Sequence, residues 1–382
     1  MERVILTTGG TGGHIFPALA VAEELRVRHP GIRLLFVGSE YGPEADLSVR
    51  AGVPFAGLPV RGFWGRGLKS LGAAVGMLRA LRRAFSLLRD FRPQVVAGFG
   101  GYAAFAAVLT AHCLGIPAAV HEQNALAGVS NKILGRLTGN ILCSLPETQG
   151  FGTLPLVLTG NPVRRSVLEA GRQARRGEGK RLLVLGGSQG AKAVNTYVAQ
   201  ALPRFREAGI AIRHQCGSAD YERMRAVYQD AGRNMDRDVS MEELRLEAFI
   251  HDMGQAYAWA DLALCRAGAT TTAELTACGL PAVCVPFPYA THDHQTMNAR
   301  LLERQGAALA IAESELERRD CAGLVIELLK SPDTIAAMSA SARQLARPQA
   351  AAAVADFLEE LAARQNNAAA RPAEKQKRDH AA

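Results

Sequence analysis

The stretch TTGGTGGHIFPA, Thr7 to Ala18, follows directly on the first apolar run of the chain, Arg3–Thr7, and leads into a long aliphatic segment. A strand, a glycine-rich turn and a helix in that order form the first unit of a Rossmann-like domain. The turn frees backbone N–H groups, and the helix adds roughly half a positive charge at its start. The same order returns in the middle of the chain, where Arg181–Leu185 runs into LGGSQGA, Leu185 to Ala191. Neither turn is a Walker A loop, since no Gly-Lys-Ser/Thr follows. Neither matches a dinucleotide fingerprint with an acidic residue about 20 positions on. The turns point to a phosphate and leave its carrier open.

Working outward, short aliphatic runs alternate with helical stretches along both halves, which predicts βα units with parallel sheets. The first series is Arg3–Thr7, Arg33–Val37, Val95–Gly98, Ala118–His121 and Asn140–Ser144. The second is Arg181–Leu185, Ile212–Gln215, Leu262–Cys265, Ala282–Val285 and Ala308–Ile311. A polar stretch around Gly160-Asn161-Pro162 and the charged segment 171–180 separate them. The fold class read from this is α/β, two Rossmann-like domains with parallel sheets facing across a cleft. The predicted boundaries are 1–161, 162–345, a helix over 346–364 that packs back on the first domain, and a disordered basic tail over 365–382.

The length of 382 residues suits two domains, and 48% hydrophobic with 6% aromatic residues describes a globular chain rich in small aliphatics. Seven scattered cysteines without CxxC spacing predict reduced thiols in a cytosolic protein and no metal cluster. Met1-Glu2-Arg3 passes straight into a strand, which predicts no secretory leader. No window of about 20 apolar residues predicts a membrane span. A net charge of +8 favours anionic partners. Leu47 to Arg89 contains no acid but eight cations, Arg50, Arg61, Arg66, Lys69, Arg79, Arg82, Arg83 and Arg89. Leu68, Leu71, Val75, Leu78, Leu81, Phe85 and Leu88 recur there at helical spacing, an apolar stripe that core packing explains. Core packing does not explain the cations or Phe63-Trp64 beside Arg61 and Arg66. The region 61–92 is therefore predicted to rest on an anionic membrane surface, where each cation contributes about 1 kcal/mol. No nucleic-acid-binding signature accompanies the charge.

His14 stands where the first helix begins, and a helix N-terminus favours the neutral imidazole that accepts a proton. A capping or packing histidine is the alternative. His121-Glu122-Gln123-Asn124 closes a strand, at the end where parallel sheets gather ligand groups, or is a turn at the sheet edge. Thr271 and Glu274 have capping-box spacing, and the same residues suit a phosphate and a ribose diol. His292-Asp293-His294-Gln295 carries too few ligands for a metal and suits hydrogen bonding to a sugar or base.

Taken together, TTGGTGGHIFPALA, GFGGYAAFAAVL, IPAAVHEQNALAGVSNK, TGNPVR, LLVLGGSQGAKAVN, CRAGATTTAEL and GLPAVCVPFPYATHDHQTMNA resemble, in order and spacing, the family 28 bacterial cell-wall glycosyltransferases that convert lipid I to lipid II. The likeness runs from Arg3 to Phe357, and 232–245 is foreign to it. It implies a GT-B fold and inverting transfer of N-acetylglucosamine from UDP-N-acetylglucosamine to the muramyl 4-hydroxyl of lipid I, with no cofactor and no metal. It implies a peripheral protein on the cytoplasmic face of the inner membrane, working beside cell-wall and division assembly proteins.

By position, the resemblance places the donor at Thr11, Gly12, Gly13, Asn124, Arg164, Ser188, Gln189, Ile250, Ala269, Thr270, Thr271, Thr272, Ala273, Glu274 and Gln295. Glu274 would take the ribose hydroxyls, and Ser188 with the loop at Ala269 the phosphates. His14 would be the general base, supported by Glu122, and the first glycine turn would face the acceptor's diphosphate. Gly100, Gly101 and Tyr102 would bind the acceptor. The family's serine and proline in that motif are replaced here by Ala104 and Ala106.

Overall fold

The computed structural model describes the chain except for Thr11, 61–69, 175–176, 178, 188–189, 234–243, 291–292 and 380–382; for 70–73, 232–233 and 365–379 it describes the backbone alone. The chain divides into two compact units, Met1–Arg164 with Gln349–Ala382, and Arg165–Pro348.

The first unit runs β1 (Arg3–Thr7), α1 (Gly12–Arg28), β2 (Arg33–Ser39), α2 (Glu44–Arg50), β3 (Phe55–Leu58), α3 (Ser70–Phe91), β4 (Val95–Gly98), α4 (Tyr102–Cys113), β5 (Ala118–Glu122), α5 (Val129–Thr138), β6 (Ile141–Cys143) and β7 (Val157–Leu158). All seven strands are parallel, in the order β3-β2-β1-β4-β5-β6-β7. Strand β1 is covered on both faces, so Val4, Ile5 and Leu6 are all fully buried and no polar alternation appears. Val4 and Leu6 belong to the same core as the apolar face of α1, and Ile5 to the core on the other side of the sheet, with Ala80, Ala84 and Leu88 of α3 and Ala103 and Ala107 of α4.

The second unit runs α6 (Arg165–Gln173), β8 (Arg181–Leu185), α7 (Lys192–Glu207), β9 (Ala211–Gln215), α8 (Tyr221–Arg233), β10 (Leu244–Glu247), α9 (Met253–Trp259), β11 (Leu262–Cys265), α10 (Ala269–Cys278), β12 (Ala282–Cys284), α11 (His294–Arg304), β13 (Ala308–Ala310), α12 (Cys321–Leu329) and α13 (Pro332–Leu345). Its six strands are parallel, in the order β10-β9-β8-β11-β12-β13. Numbered within each unit, the first six strands of both sheets follow 3-2-1-4-5-6, the Rossmann order, with the switch point between β1 and β4 and between β8 and β11.

The last helix, α14 (Ala350–Asp379), belongs to the first unit. Val354, Ala355, Leu358 and Ala362 pack against Leu19, Ala22 and Leu25 of α1, while Arg28 pairs with Asp356 and His29 with Glu359. Helix α14 runs on through 365–379, the stretch the sequence reads as a disordered basic tail.

Three strands escape the sequence reading. β3 carries Ala and Gly, β7 has two exposed residues, and β10 is the polar edge strand Leu-Arg-Leu-Glu. The apolar stripe is also revised. On α3 the core face is Ala80, Ala84 and Leu88, whereas Val75, Leu78 and Phe85 are 47%, 61% and 44% exposed. Core packing therefore does not account for them. The residues 61–69 of the predicted membrane region, with Phe63, Trp64 and three of the cations, lie outside the described residues. Six cysteines are buried and Cys113 is exposed, all as free thiols. Among the described residues, no helix is long and apolar enough to cross a membrane.

Candidate active site

Ligands of open α/β sheets gather at the carboxyl ends of the strands beside the switch point. In the first unit that place holds two glycine turns packed backbone to backbone. Gly9 N–H donates to the Gly100 carbonyl at 2.8 Å, and Phe99 N–H to the Thr7 carbonyl at 2.8 Å. Gly101, at φ +87°, sits so close that a Cβ there would stand 2.0 Å from the Gly9 carbonyl oxygen. Only glycine allows the two turns to meet in this way.

His14 projects from the first turn of α1 into this junction. A Cβ on Gly100 would lie 3.2 Å from its Cδ2 and Nε2 and 3.7 Å from Asn131 Nδ2. One on Gly10 would lie 3.9 Å from its Nδ1. The imidazole thus borders both turns.

The turn is less open to an anion than its glycines suggest. Thr8 N–H donates to the Val37 carbonyl, Gly9 N–H to Gly100, and Gly10 N–H to Oε1 of Glu44 at 2.9 Å. Glu44 begins α2, is fully buried, and brings a carboxylate beneath the turn. With these amides committed, the start of α1 at Gly12 is the feature that attracts negative charge.

Glu122, the last residue of β5, is buried, and four donors meet its carboxylate. Oε1 accepts from Asn124 N–H (3.0 Å) and Nδ2 (3.2 Å), Oε2 from Gly128 N–H (3.0 Å) and Asn131 Nδ2 (2.8 Å). Its neighbour His121 is fully enclosed, and burial holds its pKa down at about 4, opposed by its hydrogen bond to the Gly160 carbonyl. Gln123 Nε2 reaches the Phe99 carbonyl at 3.1 Å, joining this loop to the second glycine turn. Arg164 lies over the Phe16 ring at 4.3 Å, a cation–π contact. Ala104 and Ala106 of α4 are fully buried, inside the helix–sheet packing.

In the second unit the switch point lies between the Gly186–Ala191 turn and the segment Arg266–Glu274. The capping-box reading of Thr271 and Glu274 is not what forms. The N-cap of α10 is Gly268, which has no side chain to close the first turn, and Thr272 Oγ1 turns back to the Ala269 carbonyl at 3.0 Å. Glu274 is buried instead, and its Oε2 accepts from the Tyr257 hydroxyl at 2.9 Å. Asn298 Nδ2 holds the Ala267 carbonyl at 3.0 Å, and Gln295 Oε1 accepts from Phe287 N–H at 3.0 Å. Arg266 donates to the Val285 and Pro286 carbonyls at 3.1 Å and pairs with Glu313. Among the described residues, no three His, Cys, Asp or Glu side chains are arranged to hold a metal.

Of the residues singled out from sequence, the first unit gathers Gly12, Gly13, His14, Gly100, Gly101, Tyr102, Glu122, Asn124 and Arg164. The second holds Ile250, the run Ala269 to Glu274 and Gln295. Thr11, Ser188 and Gln189 lie outside the described residues. Sequence reasoning missed the residues that hold these in place: Glu44 under Gly10, Asn131 on Glu122, Tyr257 on Glu274 and Asn298 on Ala267. Asn131 carried no distinct signal, since Ser130, Lys132 and Arg136 are polar in the same helix, and Tyr257 carried none either.

Two parallel sheets of Rossmann order, each with a glycine-rich turn at its switch point, are the two halves of the architecture that GT-B glycosyltransferases share with other sugar-nucleotide enzymes. Residues 4–143 match the glycosyltransferase family 28 N-terminal domain and 181–361 the family 28 C-terminal domain. The chain belongs to glycosyltransferase family 28. It is 52% identical over 365 residues, 94% of this chain and 98% of the relative, to the UDP-N-acetylglucosamine–N-acetylmuramyl-(pentapeptide) pyrophosphoryl-undecaprenol N-acetylglucosamine transferase of Nitratidesulfovibrio vulgaris strain DP4. The protein of the same name from Solidesulfovibrio magneticus is 49% identical over 366 residues, 95% of this chain and 99% of the relative. The crystal structure of MurG from Acinetobacter baumannii superposes with a TM-score of 0.72 at 33% identity, over 94% of this chain and all of that one.

Proposed function

We propose that the chain transfers N-acetylglucosamine from UDP-N-acetylglucosamine to the 4-hydroxyl of the N-acetylmuramyl unit of lipid I, forming lipid II for peptidoglycan. The names of the relatives support the substrates. The observation that carries the chemistry is the position of His14, at the start of α1 and against Gly100.

His14 takes the proton of the muramyl hydroxyl as its oxygen attacks C1 of the donor sugar from the face opposite UDP. The C1–O bond breaks, its electron pair leaves with the diphosphate, and the configuration at C1 inverts. Backbone N–H groups and the dipole of α10 stabilise the departing charge. Glu122 acts as a positioning residue, since its carboxylate meets four donors of the Asn124–Asn131 segment. Glu274 takes the ribose diol, and the Gly187 turn with the loop at Ala269 takes the phosphates. The segment at Ile250 remains for the base, and the Tyr257–Glu274 bond sets α9, which follows it, beside the ribose carboxylate.

The protein works on the cytoplasmic leaflet of the inner membrane, among cell-wall and division assembly proteins. Val75, Leu78 and Phe85 share one exposed face of α3 with Arg79, Arg82 and Arg89, and α5 exposes Val129, Ile133 and Leu137 beside Arg136. Apolar anchors ringed by cations are what a peripheral helix uses on anionic lipid.

The test is transfer of radiolabelled N-acetylglucosamine to a lipid I analogue. His14→Ala is expected to lower turnover by about 10²- to 10⁴-fold, the share of a general base. Full activity in that variant removes the base assignment, and no transfer by the unaltered protein removes the function.

A further inference from the structure

Gln215 ends β9, and nothing in the proposed chemistry uses it. It stands in register with Leu185, the last residue of β8, and with Glu247, the last residue of β10. The two segments that leave those strands, the glycine turn and the stretch reaching Ile250, therefore start on either side of it. Its side chain is bonded to both. Nε2 donates to the Gly187 carbonyl at 3.2 Å, and Oε1 accepts from Ile250 N–H at 2.8 Å. Its backbone carbonyl accepts from Gly186 N–H at 3.2 Å. The residue is 5% exposed and Ile250 is fully buried, so water does not replace these bonds at no cost. A primary amide is suited to the place, since it offers a donor and an acceptor on one planar group.

We propose that Gln215 is a positioning residue that ties the base-reading segment at Ile250 to the diphosphate-facing turn at Gly187, so that both halves of a uridine diphosphate are met at one fixed separation. The inference rests on the donor assignment above. It makes the diphosphate contribution to affinity depend on a side chain that touches neither phosphate nor base.

Gln215→Glu separates the two arms. It keeps an acceptor for Ile250 N–H but sets a carboxylate oxygen against the Gly187 carbonyl. Gln215→Leu removes both arms. UDP is titrated by calorimetry and uridine by displacement of UDP, on the full chain, with thermal melts of each variant alongside. In Gln215→Glu, uridine is expected to bind within about twofold of the unaltered protein and UDP about tenfold more weakly, the scale of one buried hydrogen bond. In Gln215→Leu both ligands weaken about tenfold. Steady-state kinetics should place the loss in the donor KM and leave the acceptor KM unchanged. Variants that bind both ligands as the unaltered protein does overturn the inference and leave the donor assignment standing. So does a Gln215→Glu that melts early and loses both ligands alike. An unaltered protein that does not bind UDP overturns the donor assignment and this inference with it.

Discussion

The hydroxyl of Tyr257, on α9, donates to Oε2 of Glu274, on α10, across 2.9 Å, with both residues buried. Burial, and then the charge of Glu274, push the phenol well above its ordinary pKa, so it remains a proton donor. The bond fixes the carboxylate rotamer. Tyr257→Phe keeps the ring and removes this hydrogen bond. The KM for UDP-N-acetylglucosamine is expected to rise about tenfold, the value of one hydrogen bond to a charged group, with the acceptor KM unchanged in the transfer assay. Unaltered donor kinetics would separate Glu274 from the donor.

Gly100 lies at φ +100° with the His14 ring 3.2 Å from where a Cβ would stand. Gly100→Ala forces both a strained backbone and a displaced imidazole. The ring has to give way by a few tenths of an ångström, so turnover should fall by about tenfold, short of the roughly 100-fold loss that a 1 Å misplacement brings. UDP affinity, measured by calorimetry, should stay at the level of the unaltered protein. A drop in UDP affinity of the same size would place this turn in donor binding instead.

Two enclosed histidines give the stability a definite pH dependence. Burial holds His121 at about 4 and His214 at about 3, below the value near 6.5 of an unfolded chain. Between pH 6.5 and 4 the unfolded chain binds protons that the folded one refuses, so stability is lost as pH falls. The slope is about 1.4 kcal/mol per pH unit for each histidine. Urea midpoints should be level from pH 8 to 7 with respect to these groups and fall from 6.5 downward. His214→Gln should remove one histidine's share of the slope. An equal slope in that variant would mean that His214 is charged in the fold.

The exposed face of α3 predicts salt-sensitive membrane binding. Co-sedimentation with vesicles containing anionic lipid should fall as ionic strength rises, because charges beyond about 8 Å are screened at 0.15 M salt. Leu78→Ser with Phe85→Ser should weaken binding at every salt concentration, and Arg79→Glu with Arg82→Glu should abolish the preference for anionic lipid. Equal sedimentation with neutral vesicles would exclude the electrostatic account.

The central strands of both sheets were legible because burial on two faces leaves continuous aliphatic runs such as Val4-Ile5-Leu6 and Leu182-Leu183-Val184. The edges were not. β10 mixes Leu with Arg and Glu because one side of an edge strand has no neighbouring strand, and β3 is too short and too rich in small residues to signal itself. On α3 the sequence showed one apolar periodicity. Alanine supplied the true core face, freeing larger residues to point outward, and spacing alone does not tell these two faces apart. Within the candidate site, loop residues announced themselves through glycines and clustered polar groups. Glu44 and Tyr257 stand 34 and 17 positions from Gly10 and Glu274, which they hold, so only the folded backbone joins each pair.

The return of α14 to α1 makes the first unit discontinuous and the second continuous along the chain. During synthesis from the N-terminus, the later-starting Arg165–Pro348 body has all of its residues before the earlier one does. The partly made protein must carry α1 with its outer apolar side uncovered until Leu358 and Ala362 emerge. A ribosome that stops near residue 348 would release a polypeptide whose damage is felt at the opposite end of the sequence.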